Sequence, residues 1–151
     1  MMINVGDVFA VATKNGKAYF QFVKKISPMG SLIRVLPGTY HEKPDLDVLV
    51  EEKTNFWVFF PVSAALKKGI IQKAKVCIIP AHSQETPTFR AGVVDSSTGR
   101  VETWWFWNEE EEWEVGKITE EQRKFPIRGS WNDTLLVQRI EEGWSPEKDR
   151  R

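Results

Sequence analysis

The sequence predicts a mainly β (or α+β) fold over a single domain, residues 1–151: a twisted antiparallel sheet with one C-terminal helix near residues 132–142. Three observations carry this expectation. β-Branched and aromatic residues gather in short runs bounded by Gly, Pro, Asn and Asp, the pattern of strands and tight turns. Asn15-Gly16 joins two such runs, and that dipeptide is the strongest short hairpin signal because a two-residue turn wants positive φ. Asn132 to Glu142 combines an N-cap residue, apolar residues four apart and a glycine stop.

The elements follow in chain order. Val5 to Thr13 and Lys17 to Ile26 read as the two arms of the first hairpin, the second alternating Tyr19, Gln21 and Val23 with Phe20, Phe22 and Lys24. Ser27-Pro28-Met29-Gly30 breaks the chain, and Ser31 to Leu36 is a third strand ended by Pro37-Gly38. Leu46 to Val50 and Phe56 to Val62 are strand candidates; the run Phe56-Trp57-Val58-Phe59-Phe60 is apolar throughout, as in a strand covered on both faces. Ser63 to Lys68, with Gly69 behind it, predicts a short helix, and Val76 to Ile79 a short buried strand. These N-terminal strands are short and hairpin-linked enough to curl into an SH3-like barrel.

Phe89 to Val94 and Arg100 to Trp107 form a second predicted hairpin around Asp95 to Gly99, and Trp113 to Val115 a returning strand. Thr119-Glu120-Glu121-Gln122 matches a capping box. In the C-terminal helix, Trp131 and Leu136 fit a hydrophobic staple, Leu136 and Ile140 face together, and Gly143 stops the turn. The polar tail from Ser145 to Arg151 is expected to fray.

Composition narrows the function. The chain of 151 residues has a formal net charge of zero, but residues 1–75 hold 11 Lys/Arg against 6 Asp/Glu and residues 76–151 hold 10 against 15. A uniformly basic nucleic-acid binder is patterned differently. One cysteine, Cys77, excludes an internal disulfide, and its neighbours Val76, Ile78 and Ile79 read as core. The N-terminal Met1-Met2-Ile3-Asn4-Val5-Gly6-Asp7 lacks the basic and apolar regions of a secretion signal, and no run approaches the ~20 apolar residues of a membrane span. A reducing cytoplasm is expected.

No catalytic motif stands out, and neither enzyme activity nor a cofactor or metal is expected. His41 and His82 lack metal-ligand spacing, and no His-Glu-x-x-His, Cys-x-x-Cys or glycine-rich phosphate loop occurs. Ser145-x-x-Lys148 sits in a charged tail unsuited to a preorganised nucleophile. The Glu109 to Glu112 run shares one solvated environment, whereas acid–base pairs need two different ones. A hidden active site would have to join distant polar groups such as His41, His82, Arg90 and Arg128.

The unusual segment is Glu102 to Glu114, with six Glu, four Trp, one Phe and no Lys or Arg. On a strand over 101–108, Val101, Thr103, Trp105 and Trp107 share one face, and Glu102, Trp104, Phe106 and Asn108 the other. If one face meets solvent, Trp104, Trp107 and Trp113 beside Glu109, Glu110, Glu111 and Glu112 make a partner-binding surface: indoles anchor and carboxylates steer a basic partner such as a nuclease toxin. If both faces are covered, the same Trp residues are core. A second binding reading places a nucleic acid or small ligand on Lys14, Lys17, Lys24, Lys25 and Arg34 with Tyr19, Phe20 and Phe22 as a stacking groove.

The order of segments completes the reading. Gly6-Asp7-Val8-Phe9, Phe59, Ala64-Ala65, Lys68-Gly69, Thr88-Phe89-Arg90, Trp104-Trp105-Phe106-Trp107, Val115-Gly116, Ile118-Thr119-Glu120-Glu121, Pro126-Ile127, Leu135, Arg139-Ile140 and Gly143 together resemble the immunity protein 26 family of bacterial polymorphic toxin systems. The resemblance spans about residues 4–144. It implies a small cytoplasmic antitoxin that binds a cognate toxin stoichiometrically and performs no reaction. Toxin contacts vary with the toxin, so it assigns no site residue, and it allows the Trp-rich segment to be shared scaffold.

Overall fold

The computed structural model describes residues 2–151; Met1, in the segment read above for a secretion signal, lies outside the described residues. The fold is mainly β. Among the described residues it holds eight strands in two antiparallel sheets and three α-helices. The described residues form two compact units, one of residues 2–85 and 129–143, the other of residues 86–128 and 144–151.

The first unit is a five-stranded sheet, β1 (Asp7–Thr13), β2 (Gly16–Ile26), β3 (Gly30–Val35), β4 (Phe56–Phe59) and β5 (Ile71–Val76), in the order β4-β3-β2-β1-β5. The first hairpin forms as expected, with one shift: Thr13 pairs with Gly16, so Lys14-Asn15 makes the turn and Gly16 follows it at φ +113°. A side chain at Gly16 would meet the Tyr40 carbonyl, whose oxygen accepts from Lys17 N at 2.8 Å. β1 is covered on both faces. Phe9 stacks on Phe20 with ring centres 5.5 Å apart, while Val8, Ala10 and Tyr19 pack with Leu36, Leu46, Leu49, Val50 and Cys77.

Three expectations are corrected here. Leu46 to Val50 is not a strand but a helix, α1 (Leu46–Leu49); the Asp45 side chain caps it by accepting from Asp47 N and Val48 N. Leu46, Leu49 and Val50 are buried and Val48 is exposed, a helical spacing that four residues are too few to display as a period. Val76 to Ile79 is not a buried strand. The strand lies upstream at the sheet edge, and only Cys77 of the four is buried, while Val76 and Ile78 face outward. The SH3-like barrel does not close. The meander with a returning fifth strand is the order a small barrel needs, but β4 and β5 share no ladder. At Phe59, β4 bonds instead to residues 129–131, through Phe59 N to Gly129 O at 3.1 Å and Trp131 N to Phe59 O at 2.9 Å.

The predicted short helix is α2 (Val62–Lys67), and the C-terminal helix is α3 (Asp133–Glu142). In α3, Asn132 Oδ1 accepts from Leu135 N at 2.8 Å, Gly143 ends the helix in the left-handed conformation, and Leu136 is fully buried. Glu141 ties α3 to the first hairpin by accepting from Lys14 N at 2.7 Å.

The second unit is a three-stranded sheet, β6 (Phe89–Ala91), β7 (Trp104–Trp107) and β8 (Glu112–Gly116), in that order. The predicted capping box forms: Thr119 N donates to Gln122 Oε1 at 2.9 Å and Gln122 N to Thr119 Oγ1 at 3.2 Å, opening a single 3₁₀ turn, Gln122–Lys124. The tail does not fray. Asp149 Oδ2 accepts from Trp144 Nε1 at 3.3 Å and its Oδ1 from Arg151 Nε at 2.9 Å, while Arg151 O accepts from Val101 N at 3.1 Å. Burial works against the Asp149 charge, but these bonds from Arg151 and Trp144 outweigh it and hold its pKa below the usual carboxylate range.

Candidate functional site

The Trp-rich strand sorts its rings by alternation. Trp105 pairs across β8 with Glu114 and Trp107 with Glu112, and Ala91 and Phe89 of β6 stand opposite the same two tryptophans. These residues share one face. Phe106, paired with Trp113 and Arg90, points to the other, as does Trp104.

The predicted site residues therefore separate. Trp104 is buried with the Arg90 guanidinium 4.5 Å above its ring centre. Trp107 is buried, with Phe89 at 5.5 Å and the Arg128 guanidinium at 5.3 Å. Both are scaffold. Trp113 is 39% exposed, but it lies with Phe106 on the face opposite Trp105. Glu109, Glu110 and Glu111 belong to the turn between β7 and β8, where Asn108 Oδ1 accepts from Glu110 N and Glu111 N and Glu109 Oε1 accepts from Thr86 Oγ1 at 2.9 Å. Only Glu112 of the predicted set joins the concave site.

That site is an open hollow of about 730 Å³ in the second unit. Trp105 walls it, Ala91 and Gly92 border it, and Asp95, Glu102, Glu112 and Arg128 supply its charge. Gly92 is needed where it stands: a Cβ there would come within 2.3 Å of Val101 Cγ1. Asp95 sits in the second hairpin turn, and hydrogen bonds from the Ser97 hydroxyl and backbone N–H lower its pKa, so it is ionised at neutral pH. Arg128 Nη2 lies 3.3 Å from Glu112 Oε1. With that pair balanced, Asp95 and Glu102 leave the hollow acidic. Composition indicates an acidic, aromatic surface; it does not single out Trp105, Asp95 and Glu102 as the members that share one hollow.

The other candidate residues are used elsewhere. Tyr19, Phe20 and Phe22 are buried, and Arg34 is fully buried, so these three rings offer no stacking surface to a base. His82 bonds the Ser83 hydroxyl through Nδ1 at 2.8 Å and the Glu51 carbonyl through Nε2 at 3.0 Å. His41 lines a separate hollow with Lys17, Tyr40 and Gln72. Among the described residues, no three His, Cys, Asp or Glu side chains come together in a way that could hold a metal ion, and no helix is long and apolar enough to cross a membrane. In comparisons with known proteins, the chain matches no family model, no curated protein and no solved structure.

Proposed function

We propose that this protein is an immunity-type antitoxin that binds a cognate bacterial toxin in the cytoplasm and neutralises it by stoichiometric protein–protein contact, without catalysing a reaction. The order of sequence segments supports the class. One structural observation supports the binding mode: Trp105 stands 38% exposed beside an acidic hollow, where an indole anchors a partner and carboxylates select a basic one. A nuclease toxin, basic because its substrate is a polyanion, is the partner chemistry that surface fits. The acidic turn Glu109 to Glu112 adds long-range attraction and speeds encounter.

The test is to express the product of the neighbouring gene with and without this chain. The expected result is growth arrest by the neighbour alone, rescue by co-expression, and a complex of fixed stoichiometry on co-purification. A neighbour that stays toxic and does not co-purify overturns the cognate-pair reading. Replacing Glu109 to Glu112 by Gln is expected to slow association about tenfold at low salt and to flatten its salt dependence.

A further inference from the structure

We infer that the hollow beside Trp105 takes an arginine side chain of a protein partner, its guanidinium flat on the indole and paired with the carboxylates of Asp95 and Glu102. The inference rests on the reading that the protein works by binding another protein, and it assigns the chemistry of the contact.

The sheet supplies its own template. Trp107 and Glu112 stand opposite each other on β7 and β8, and Arg128 fills that pair, with its guanidinium 5.3 Å over the ring and 3.3 Å from the carboxylate. Two residues along, on the same face, Trp105 stands opposite Glu114 in the same way, and the hollow that Trp105 walls supplies the carboxylates of Asp95 and Glu102. On the opposite face Trp104 carries Arg90 at 4.5 Å. Of the three tryptophans of β7, Trp105 alone is exposed, and among the described residues no guanidinium of the chain is stacked on it.

Charge agrees with shape. Arg128 balances Glu112, so Asp95 and Glu102 remain to meet an incoming cation. Hydrogen bonds from Ser97 fix one of the Asp95 carboxylate oxygens, which keeps the group ionised and in place. Arginine fits better than lysine because a guanidinium stacks on an indole and still offers its edge N–H groups to two carboxylates, whereas an ammonium is a compact, strongly hydrated charge. The acidic hollow repels a phosphate backbone, which sets a protein partner above a nucleic acid.

The experiment titrates the full chain at low salt with acetyl-Gly-Arg-Gly-amide and with the same peptide carrying citrulline, which keeps the shape and removes the charge. The readout is the Trp105 indole N–H resonance, assigned with Trp105→Phe. The arginine peptide is expected to shift it saturably in the millimolar range, and the citrulline peptide to bind about fivefold more weakly. Asp95→Asn with Glu102→Gln is expected to weaken the arginine peptide roughly fivefold or more. Equal response to both peptides, movement of other indoles without Trp105, or no response at tens of millimolar overturns the inference. The peptide titration needs no toxin, so its failure is distinguishable from a failure of rescue in cells.

Discussion

The two units each enclose an arginine with no exposure, and they satisfy it differently. In the first, Arg34 donates from Nε to Thr54 Oγ1 at 2.8 Å, from Nη1 to Gln21 Oε1 at 2.8 Å and from Nη2 to the Glu52 carbonyl at 2.9 Å. The chain of bonds continues: Gln21 Nε2 donates to the Gly6 and Cys77 carbonyls, and Thr54 meets Ser83, which meets His82. In the second unit, Arg90 gives Nη2 to the Pro146 carbonyl at 2.6 Å and Nε to Phe125 O at a long 3.4 Å, and no hydrogen bond reaches Nη1. Its charge lies over Trp104 instead. Burial lowers both pKa values to about 10, so both stay protonated at neutral pH. A fork bonded at all three nitrogens to neutral acceptors holds the first unit, while in the second Arg90 and Arg128 lie over the indoles of Trp104 and Trp107. At Trp105 the indole face is turned outward, and this is the face we propose binds a partner's arginine.

The largest expected difference lies between the two arginines themselves. Arg34→Met strands the buried Gln21 amide oxygen and the Glu52 carbonyl, and is expected to cost about 3 kcal/mol in chemical denaturation. Arg90→Met, which strands one strong acceptor, is expected to cost roughly half that; equal costs would end the distinction between the two arginines. Gly92→Ala forces a methyl against Val101 beside the hollow, and hydrogen exchange of β6 and β7 is expected to report a loss of about 2 kcal/mol. Asn132→Ala removes the bond to Leu135 N and is expected to cost about 1 kcal/mol in the melting of the first unit.

Cys77, buried in the first unit, adds a pH dependence. Burial, joined by a hydrogen bond to Asp47, pushes its thiol up to about 11. A raised thiol pKa favours the neutral folded form. Stability should therefore fall as pH rises from about 9 toward 11, because only the unfolded chain ionises there. At pH 8 a disulfide reagent should react with the native protein roughly a hundredfold more slowly than with the unfolded chain. Cys77→Ala is expected to remove the part of the fall that begins near pH 9, leaving the part above about pH 10 that burial of the Tyr19 hydroxyl adds.

Where a structural signal is local, it is legible in the sequence. The first hairpin, the Asn132 cap with its Gly143 stop, and the Thr119 capping box each need only residues within a few positions of one another. The alternation of Trp104 and Phe106 against Trp105 and Trp107 is equally legible, since it follows from the pleat. What is not legible depends on remote partners. Which tryptophan stays open is decided by Arg90 and Arg128, which come from outside β7 to cover Trp104 and Trp107. The tail reads as frayed because its anchors are distant in sequence: Val101 N, and Arg123, which donates from Nη2 to Asp149 O at 2.6 Å. Leu46 to Val50 reads as a strand because its helix is a single turn, and Asp45, which caps it, is equally at home in a loop.

The deciding measurement is rescue of cells expressing the product of the neighbouring gene, proposed above as the toxin, by the native chain and, in parallel, by Trp105→Ala combined with Glu102→Gln. The account predicts full rescue by the native chain and at least tenfold weaker toxin binding with impaired rescue by the variant, both chains being equally folded. Undiminished rescue and affinity in the variant would contradict it.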